Sequence, residues 1–232
     1  MSVQLKPLYD KDQTCLFCEK IYQTKRLRSK FVRVKQVHSD FYTEYKDPDL
    51  NPLFYEVSVC PHCGFASSDT FSSNFPSGTT NVIAEQFKDW KMQDFGNERK
   101  VEDAIRALKL GILSAMLKRE KHVVIGGLCL RLAWLFRLIS SEEQEIRFLK
   151  KAQEHYAKSY EEVDYKDTQM TDMRLLYLIG ELHRRIGNQS EAIQFFSRVI
   201  QHKHKATEPK IVEMAREQWY LIREKNDEEA TI

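Results

Sequence analysis

The sequence predicts an α+β fold that is mainly α-helical, with a small antiparallel module around four cysteines followed by a helical array. Three observations predict it. Two Cys-x-x-Cys pairs, Cys15/Cys18 and Cys60/Cys63, have 41 residues between them. Short segments of alternating apolar and polar residues, which are typical of strands, lie between the pairs. From Asn81 onward, apolar residues recur at helical spacing and no convincing strand pattern returns.

The four cysteines predict a closed metal site. Each Cys-x-x-Cys turn presents two thiolates, and two such turns complete the sulfur tetrahedron of a structural zinc site. The predicted ligands are Cys15, Cys18, Cys60 and Cys63, and the predicted cofactor is structural Zn²⁺. Iron in a rubredoxin-like site uses the same ligands, so spacing alone leaves it open. Four protein ligands leave no open position for a substrate water, and no catalytic residue is predicted.

The two cysteine turns differ in the residue that follows them. Gly64 follows the second pair and can adopt the positive φ that turns backbone amides toward sulfur. Glu19 holds this position in the first pair, so a looser turn is expected there. His62, inside the second pair, is expected to point to solvent rather than to bind metal, and His38 is a weaker candidate still.

Composition is typical of a globular protein in a reducing compartment. Charged residues make up 30% of the chain and apolar ones 42%, which argues against a disordered chain. Four of five cysteines lie in two close pairs, which is not a disulfide framework. No secretory signal opens the chain. The apolar run 123–139 contains Arg131 and Arg137, which are costly in a bilayer. A cytoplasmic protein without membrane contact is therefore expected.

Residues 1–80 are predicted to form a zinc-ribbon-like module built on the four cysteines. Its first 14 residues are interpreted as an extended lead-in. Two alternating segments, 31–37 and 54–59, are predicted to form a short antiparallel sheet with both cysteine turns at one end. The serine-rich stretch 64–80 is predicted to be an ordered connector held by its phenylalanines, Phe71 and Phe75. The domain boundary is placed at its end.

Residues 81–232 are predicted to form seven helices in a tetratricopeptide-like array. These are one through Ile83, Phe87 and Trp90, one capped by Asn97, one over 123–139, one opened by Ser141, two divided by Gly187 and Asn188, and one from Pro209 to Lys225. The inner face of the last helix is predicted to be Ile211, Met214, Leu221 and Ile222.

The segment 173–206 matches the small-and-large pattern of a tetratricopeptide repeat of about 34 residues. The matching residues are Leu176, Ile179, Gly180, Gly187, Ala192, Phe196 and Val199. Gly180 and Ala192 would let two helices approach closely, with Phe196 filling the gap between repeats. Earlier helices match loosely, with Ala133 and Ala152 in the equivalent positions. Such arrays present a concave groove, so a protein or peptide partner is expected.

Other side chains leave further functions open. A basic run over residues 20–35 suggests contact with a nucleic-acid backbone, through Lys25, Arg26, Arg28, Lys30, Arg33 and Lys35. The competing interpretation is a solvated strand face, balanced by the acids that follow it. A third function is a thiol redox sensor that releases zinc on oxidation. Cys129 is expected to be a buried core thiol, and His202 and His204 are expected to be surface residues.

The segment 51–66, with the sequence Asn-Pro-Leu-Phe-Tyr-Glu-Val-Ser-Val-Cys-Pro-His-Cys-Gly-Phe-Ala, carries a resemblance. Together with the Cys15/Cys18 pair and Arg28-Ser29, it resembles a bacterial family catalogued as a domain of unknown function, serial 2225. The sequence departs from the family pattern at Glu19, where the family has glycine. The resemblance implies a cytoplasmic zinc-ribbon-like protein with a tetratricopeptide-like tail, and it supplies no activity. The expected function is therefore a non-enzymatic, zinc-binding adaptor.

Overall fold

The computed structural model describes residues 5–229, with side chains to residue 224. Within this range the strands end at Ser67 and seven helices follow, so the predicted α+β, mainly α fold is confirmed. Contacts between Cα atoms group the described residues into two compact units. The first comprises the residues up to His38, Tyr42–Glu120 and Arg131–Glu145, and the second comprises Ser39–Phe41, Lys121–Leu130 and the residues from Ile146. The predicted domain boundary at residue 80 lies inside the first unit. Whether residues 1–80 fold separately from the helices stays a prediction.

Six strands in the described residues pair as three separate antiparallel hairpins. They are β1 Leu8–Thr14 with β2 Ile21–Leu27, β3 Val34–Val37 with β4 Thr43–Tyr45, and β5 Ser58–Val59 with β6 Ala66–Ser67. The first hairpin closes at the pair Thr14 and Ile21, and the third at Val59 and Ala66. Each of these two hairpins therefore turns at a cysteine pair.

The strand predictions are wrong in their bounds and in their pairing, because the segments 31–37 and 54–59 contribute to separate hairpins rather than to one sheet. The expected lead-in contains β1, and the expected strand 31–37 begins only at Val34. Phe54 and Tyr55, expected at the start of the strand 54–59, instead end a short 3-10 helix, Pro52–Tyr55. Asn51 caps it by accepting a hydrogen bond of 3.0 Å from the Leu53 N–H, and Pro52 has a backbone suited to a first helical turn. This local capping outweighs the alternation that suggested a strand.

The seven predicted helices all form within the described residues. They are α1 Thr79–Gln86, α2 Val101–Lys118, α3 His122–Leu138, α4 Glu142–Glu162, α5 Asp172–Arg185, α6 Gln189–Ile200 and α7 Pro209–Glu229. None of them combines the length and the apolar character needed to cross a bilayer. The cap predicted at Asn97 is wrong, because the side chain of Asn97 bonds to Asp94. The N-cap is Lys100, whose N–H donates to the Asp103 carboxylate at 3.1 Å.

In the first unit, α2 is the surface on which the third hairpin packs. The Ser114 hydroxyl accepts a hydrogen bond of 3.0 Å from the Ala66 N–H. Gly111 lies so close to Val57 that an added Cβ would be 3.0 Å from its Cγ2. Buried Arg99, just before α2, donates to the Val57 carbonyl at 2.7 Å. Burial lowers the pKa of Arg99 to about 10, so it remains charged at neutral pH. These contacts fix the strand that leads into the second cysteine turn.

In the second unit, α5, α6 and α7 share one apolar core. Its buried members are Met173, Leu176, Tyr177, Ala192, Phe196, Val199, Ile211, Val212, Ala215 and Ile222. A Cβ on Gly180 would lie 3.0 Å from the Phe196 ring, so α5 and α6 approach closely at this glycine. On α7 the predicted inner residue Leu221 is 55% exposed. The buried face instead continues through Gln218 to Ile222, because it follows the helical period.

Candidate metal centre

The sulfurs of Cys15, Cys18, Cys60 and Cys63 all lie within 4.8 Å of one another. The Cys15–Cys63 and Cys18–Cys60 sulfur pairs are each 3.6 Å apart. A tetrahedron with metal–sulfur bonds of about 2.3 Å has edges of about 3.8 Å, so this spacing fits one metal ion. A disulfide would need about 2.05 Å, and all four cysteines are free. The four residues predicted to bind a metal are therefore brought together.

The two cysteine turns have the same backbone hydrogen bonds. The Glu19 N–H donates to the Cys15 carbonyl at 3.0 Å, and the Gly64 N–H donates to the Cys60 carbonyl at 2.9 Å. In each turn the first cysteine also donates its N–H, at 3.0 Å, to the carbonyl five residues further on. Glu19 adopts φ 60° and Gly64 φ 77°. The looser first turn expected from Glu19 is not found, because the glutamate takes the left-handed conformation that glycine takes in the second turn.

An aromatic shell surrounds the sulfurs. Cys15 and Cys60 are buried, whereas Cys18 and Cys63 are partly exposed. The Phe65 ring lies 5.7 Å from the Phe17 ring, between centroids. From the connector, the Phe71 and Phe75 rings lie 6.4 and 5.9 Å from that of Phe65. Phe71 and Phe75 therefore pack against the cluster that contains Cys15 and Cys60.

Trp90 supports the second cysteine turn. Its indole N–H donates to the Pro61 carbonyl at 2.9 Å. A Cβ on Gly64 would lie 2.4 Å from Trp90 Cδ2, so this position needs a glycine for space as well as for its backbone. The sequence suggested Trp90 only as a helix-face residue, but α1 ends at Gln86. Nothing in the local pattern indicates that the indole reaches the cysteine turn.

The crowded thiols perturb one another's pKa. A hydrogen bond from the Cys63 thiol lowers the pKa of Cys15 to about 5, and the same pairing raises that of Cys63. Burial raises the pKa of Cys60 to about 11. Four thiolates at this spacing repel one another. A divalent cation at their centre is the partner that lets all four ionise together.

The other candidate ligands lie outside this site. His62 is exposed. Among the residues that the structure describes, the four cysteines form the one group of three or more such side chains that is spaced to hold a metal. Cys129 is buried on α3, as predicted, and burial raises its pKa to about 12.

Most of the basic run has partners within the chain. Lys25 pairs with Asp10 at 2.6 Å, Arg26 with Asp69 at 3.0 Å, and Lys35 with Glu44 at 2.6 Å. The Arg28 and Lys30 cations lie over the rings of Tyr9 and Phe31. This distribution favours the interpretation of the run as a balanced, solvated surface.

The sequence model of the family described as "Uncharacterized protein conserved in bacteria (DUF2225)" matches residues 8–222. The chain belongs to this family. The matched range of this DUF2225 protein contains both cysteine turns and all of α1 to α6. Searches of the curated proteins and of the solved structures found no match.

Proposed function

We propose that this DUF2225 protein is a non-enzymatic, cytoplasmic adaptor in which zinc has a structural role and a repeat-like helical part binds a protein or peptide partner. The observation that carries the proposal is the tetrahedral spacing of four sulfurs on two matched turns. Four thiolates complete the coordination of zinc, which points to a structural metal rather than to one that binds substrate.

A structural role follows from how small the hairpins are. The third hairpin has two residues in each strand, and all of β3 is exposed. Two-stranded hairpins of this size are marginal in water. A metal shared by Cys15 and Cys18 with Cys60 and Cys63 would cross-link the first and third hairpins, and its binding energy would contribute to folding.

Metal analysis of the reduced protein tests this part directly. We expect about one zinc per chain, and cobalt substitution should give the visible spectrum of a tetrahedral thiolate site. Cys60→Ser should lose the metal, whereas the matched control Cys129→Ser should keep it, because Cys129 lies outside the site. Stoichiometric iron would identify a rubredoxin-like site, and retention of full zinc by Cys60→Ser would contradict the four-sulfur assignment.

Chelation tests whether the metal stabilises the hairpins separately from the helices. Removal of zinc should unfold the three hairpins and leave most of the far-UV helical signal. Some helical loss is expected, since Ile83 of α1 and Leu117 of α2 belong to the apolar cluster that contains Cys15 and Cys60. Collapse of the whole helical signal would refute a locally acting metal.

Complete retention of zinc under mild peroxide would exclude the redox-sensor alternative.

The adaptor part is supported by the close packing of α5 on α6 at Gly180, which is the contact that the repeat pattern predicts. A tagged pull-down from the native host, with and without nuclease, tests it. A nuclease-resistant protein partner is expected. Recovery of nucleic acid that carries the proteins with it would instead favour nucleic-acid binding as the function. Loss of that nucleic-acid binding in a Lys20→Glu/Lys30→Glu/Arg33→Glu variant would then place the binding surface on the exposed part of the basic run.

A further inference from the structure

The second compact unit contains a tripeptide from much earlier in the chain. Ser39, Asp40 and Phe41 lie between β3 and β4 in sequence, but their contacts group them with α5 to α7. The Tyr177 hydroxyl donates to the Ser39 carbonyl at 2.8 Å. The Ser39 hydroxyl donates to the Glu181 carboxylate at 2.7 Å. Helix α5 thus binds both the main chain and a side chain of this segment, which we call the SDF segment.

Charged side chains of α5 lie around Asp40. The Asp40 and Glu181 side chains are both fully buried, and Arg185 Nη2 lies 3.3 Å from Asp40 Oδ1. Arg185 Nε donates to Glu181 at 2.7 Å, and Arg184 donates to the same carboxylate twice at 2.8 Å. Two guanidinium groups thus meet one carboxylate from α5 and one from the SDF segment. Without Asp40 the α5 site has an excess positive charge, so its chemistry suits an acidic side chain.

Phe41 completes the segment with an aromatic contact and an unusual backbone. Its ring centroid lies 5.6 Å from that of Tyr177, and its side chain packs against the core of α5, α6 and α7. Its φ is 65°, in the left-handed region that residues other than glycine seldom adopt. The segment is therefore held in a conformation that its own sequence does not favour.

We propose that this α5 site, formed by Tyr177, Glu181, Arg184 and Arg185, recognises peptides with an acidic residue followed by an aromatic one, and that the SDF segment occupies it as an internal competitor. The proposal rests on the adaptor function and specifies the chemistry of the partner. The site uses hydroxyl, guanidinium and aromatic contacts at once, as peptide-recognition sites do. Occupation by the SDF segment lowers the apparent affinity for a partner in proportion to the time that the site is filled.

The test uses the full, zinc-loaded chain and a fluorescent peptide with the sequence of residues 37–43. Fluorescence anisotropy compares wild type with an Asp40→Ala/Phe41→Ala variant, which removes the acidic and aromatic contacts of the SDF segment. We expect the variant to bind the peptide roughly tenfold more tightly or better. Adding Arg185→Ala should abolish this gain, and a peptide with Asp40→Asn should bind poorly. Asp49→Ala, which changes an exposed acid outside the site, is the matched control and should bind as wild type does.

A folded double variant, judged by far-UV circular dichroism and zinc content, that binds no better than wild type would overturn the proposal and make the SDF segment a purely internal contact. Should the double variant fail to fold, Asp40→Asn decides in the same assay. It keeps the shape of the side chain and removes the charge that Arg185 meets. A severalfold gain in affinity supports the proposal, and an unchanged affinity overturns it.

The adaptor function is judged separately. A native partner that wild type and Arg185→Ala capture equally well leaves the adaptor function standing and removes this site. Absence of any nuclease-resistant partner refutes the adaptor function itself, whatever the peptide assay shows.

Discussion

Replacing Gly64 by alanine should destabilise the second cysteine turn far more than the same change at Gly78. The two glycines have nearly the same backbone, with φ 77° and 80°. Their surroundings differ, because a Cβ at Gly64 would meet the Trp90 indole at 2.4 Å, whereas one at Gly78 would meet nothing within 4 Å. The pair therefore separates the cost of the backbone conformation from the cost of the contact.

The expected magnitudes follow from these distances. A left-handed backbone costs a residue other than glycine about 1–2 kcal/mol, and alanine recovers roughly 0.4–1 kcal/mol by restricting the unfolded chain. Gly78→Ala should therefore cost about 1 kcal/mol. Gly64→Ala adds overpacking against an indole that is bonded to Pro61, worth about 1–3 kcal/mol. Its total should be about 2–4 kcal/mol.

Urea unfolding of the zinc-loaded protein measures both costs, and chelator competition measures the effect on metal affinity. Since about 1.4 kcal/mol corresponds to a tenfold change, the added cost at Gly64 should weaken zinc binding by roughly tenfold to a hundredfold. Glu19→Gly, at the equivalent position of the first turn, should change stability in the opposite direction, by up to about 1 kcal/mol. Equal costs for Gly64→Ala and Gly78→Ala would refute the reasoning, since they would show that Trp90 does not restrict the turn.

Three further predictions concern single groups. Val163→Gly should raise the free energy of unfolding by up to about 1 kcal/mol in a thermal melt, because Val163 is β-branched and has φ 58°. A lower free energy of unfolding would show that the valine side chain makes contacts that outweigh this strain. Lys118→Met should lower the free energy of unfolding, measured with urea, by about 3–5 kcal/mol, because it leaves the buried Glu120 carboxylate without its cation. The double variant Lys118→Met/Glu120→Gln should recover most of this stability. The Nδ1 atoms of His155 and His122 lie 2.8 Å apart. Burial, reinforced by the neighbouring His122, lowers the pKa of His155 to about 4. Between pH 6.5 and 4 the unfolded chain therefore binds more protons than the folded one, and stability should fall by about 1–2 kcal/mol as pH drops through this window. His155→Gln should lack this part of the acid slope, and an unchanged slope would contradict it.

The cysteine site was predictable from sequence because its determinants are local. Each Cys-x-x-Cys turn fixes two sulfurs within four residues, and only the meeting of the turns depends on the fold. The helices were predictable for a similar reason, because apolar residues at helical spacing over many positions remain recognisable even where single positions deviate. That spacing also shows why Leu221 was misplaced: it is adjacent to the buried stripe, not on it.

What the sequence did not reveal depends on distant or polar partners. Strand β1 buries little, and its pairing depends on backbone hydrogen bonds and on cross-strand contacts such as Lys25 with Asp10. A polar strand of this kind has no apolar alternation to detect. The contact of Ser39 with Glu181 joins residues 142 positions apart, so neither residue carries a local sign of the other. Trp90 at the cysteine turn is a third case of the same kind.

Each cysteine turn has one sheltered sulfur and one at the rim. Cys15 and Cys60 are buried, while Cys18 and Cys63 are partly exposed. A chelator or oxidant arriving from solvent therefore meets the second cysteine of either turn, and the two inner sulfurs can retain an ion after an outer bond has opened. Metal exchange should then proceed through a half-released intermediate, at a rate set by Cys18 and Cys63, while the final affinity depends on all four.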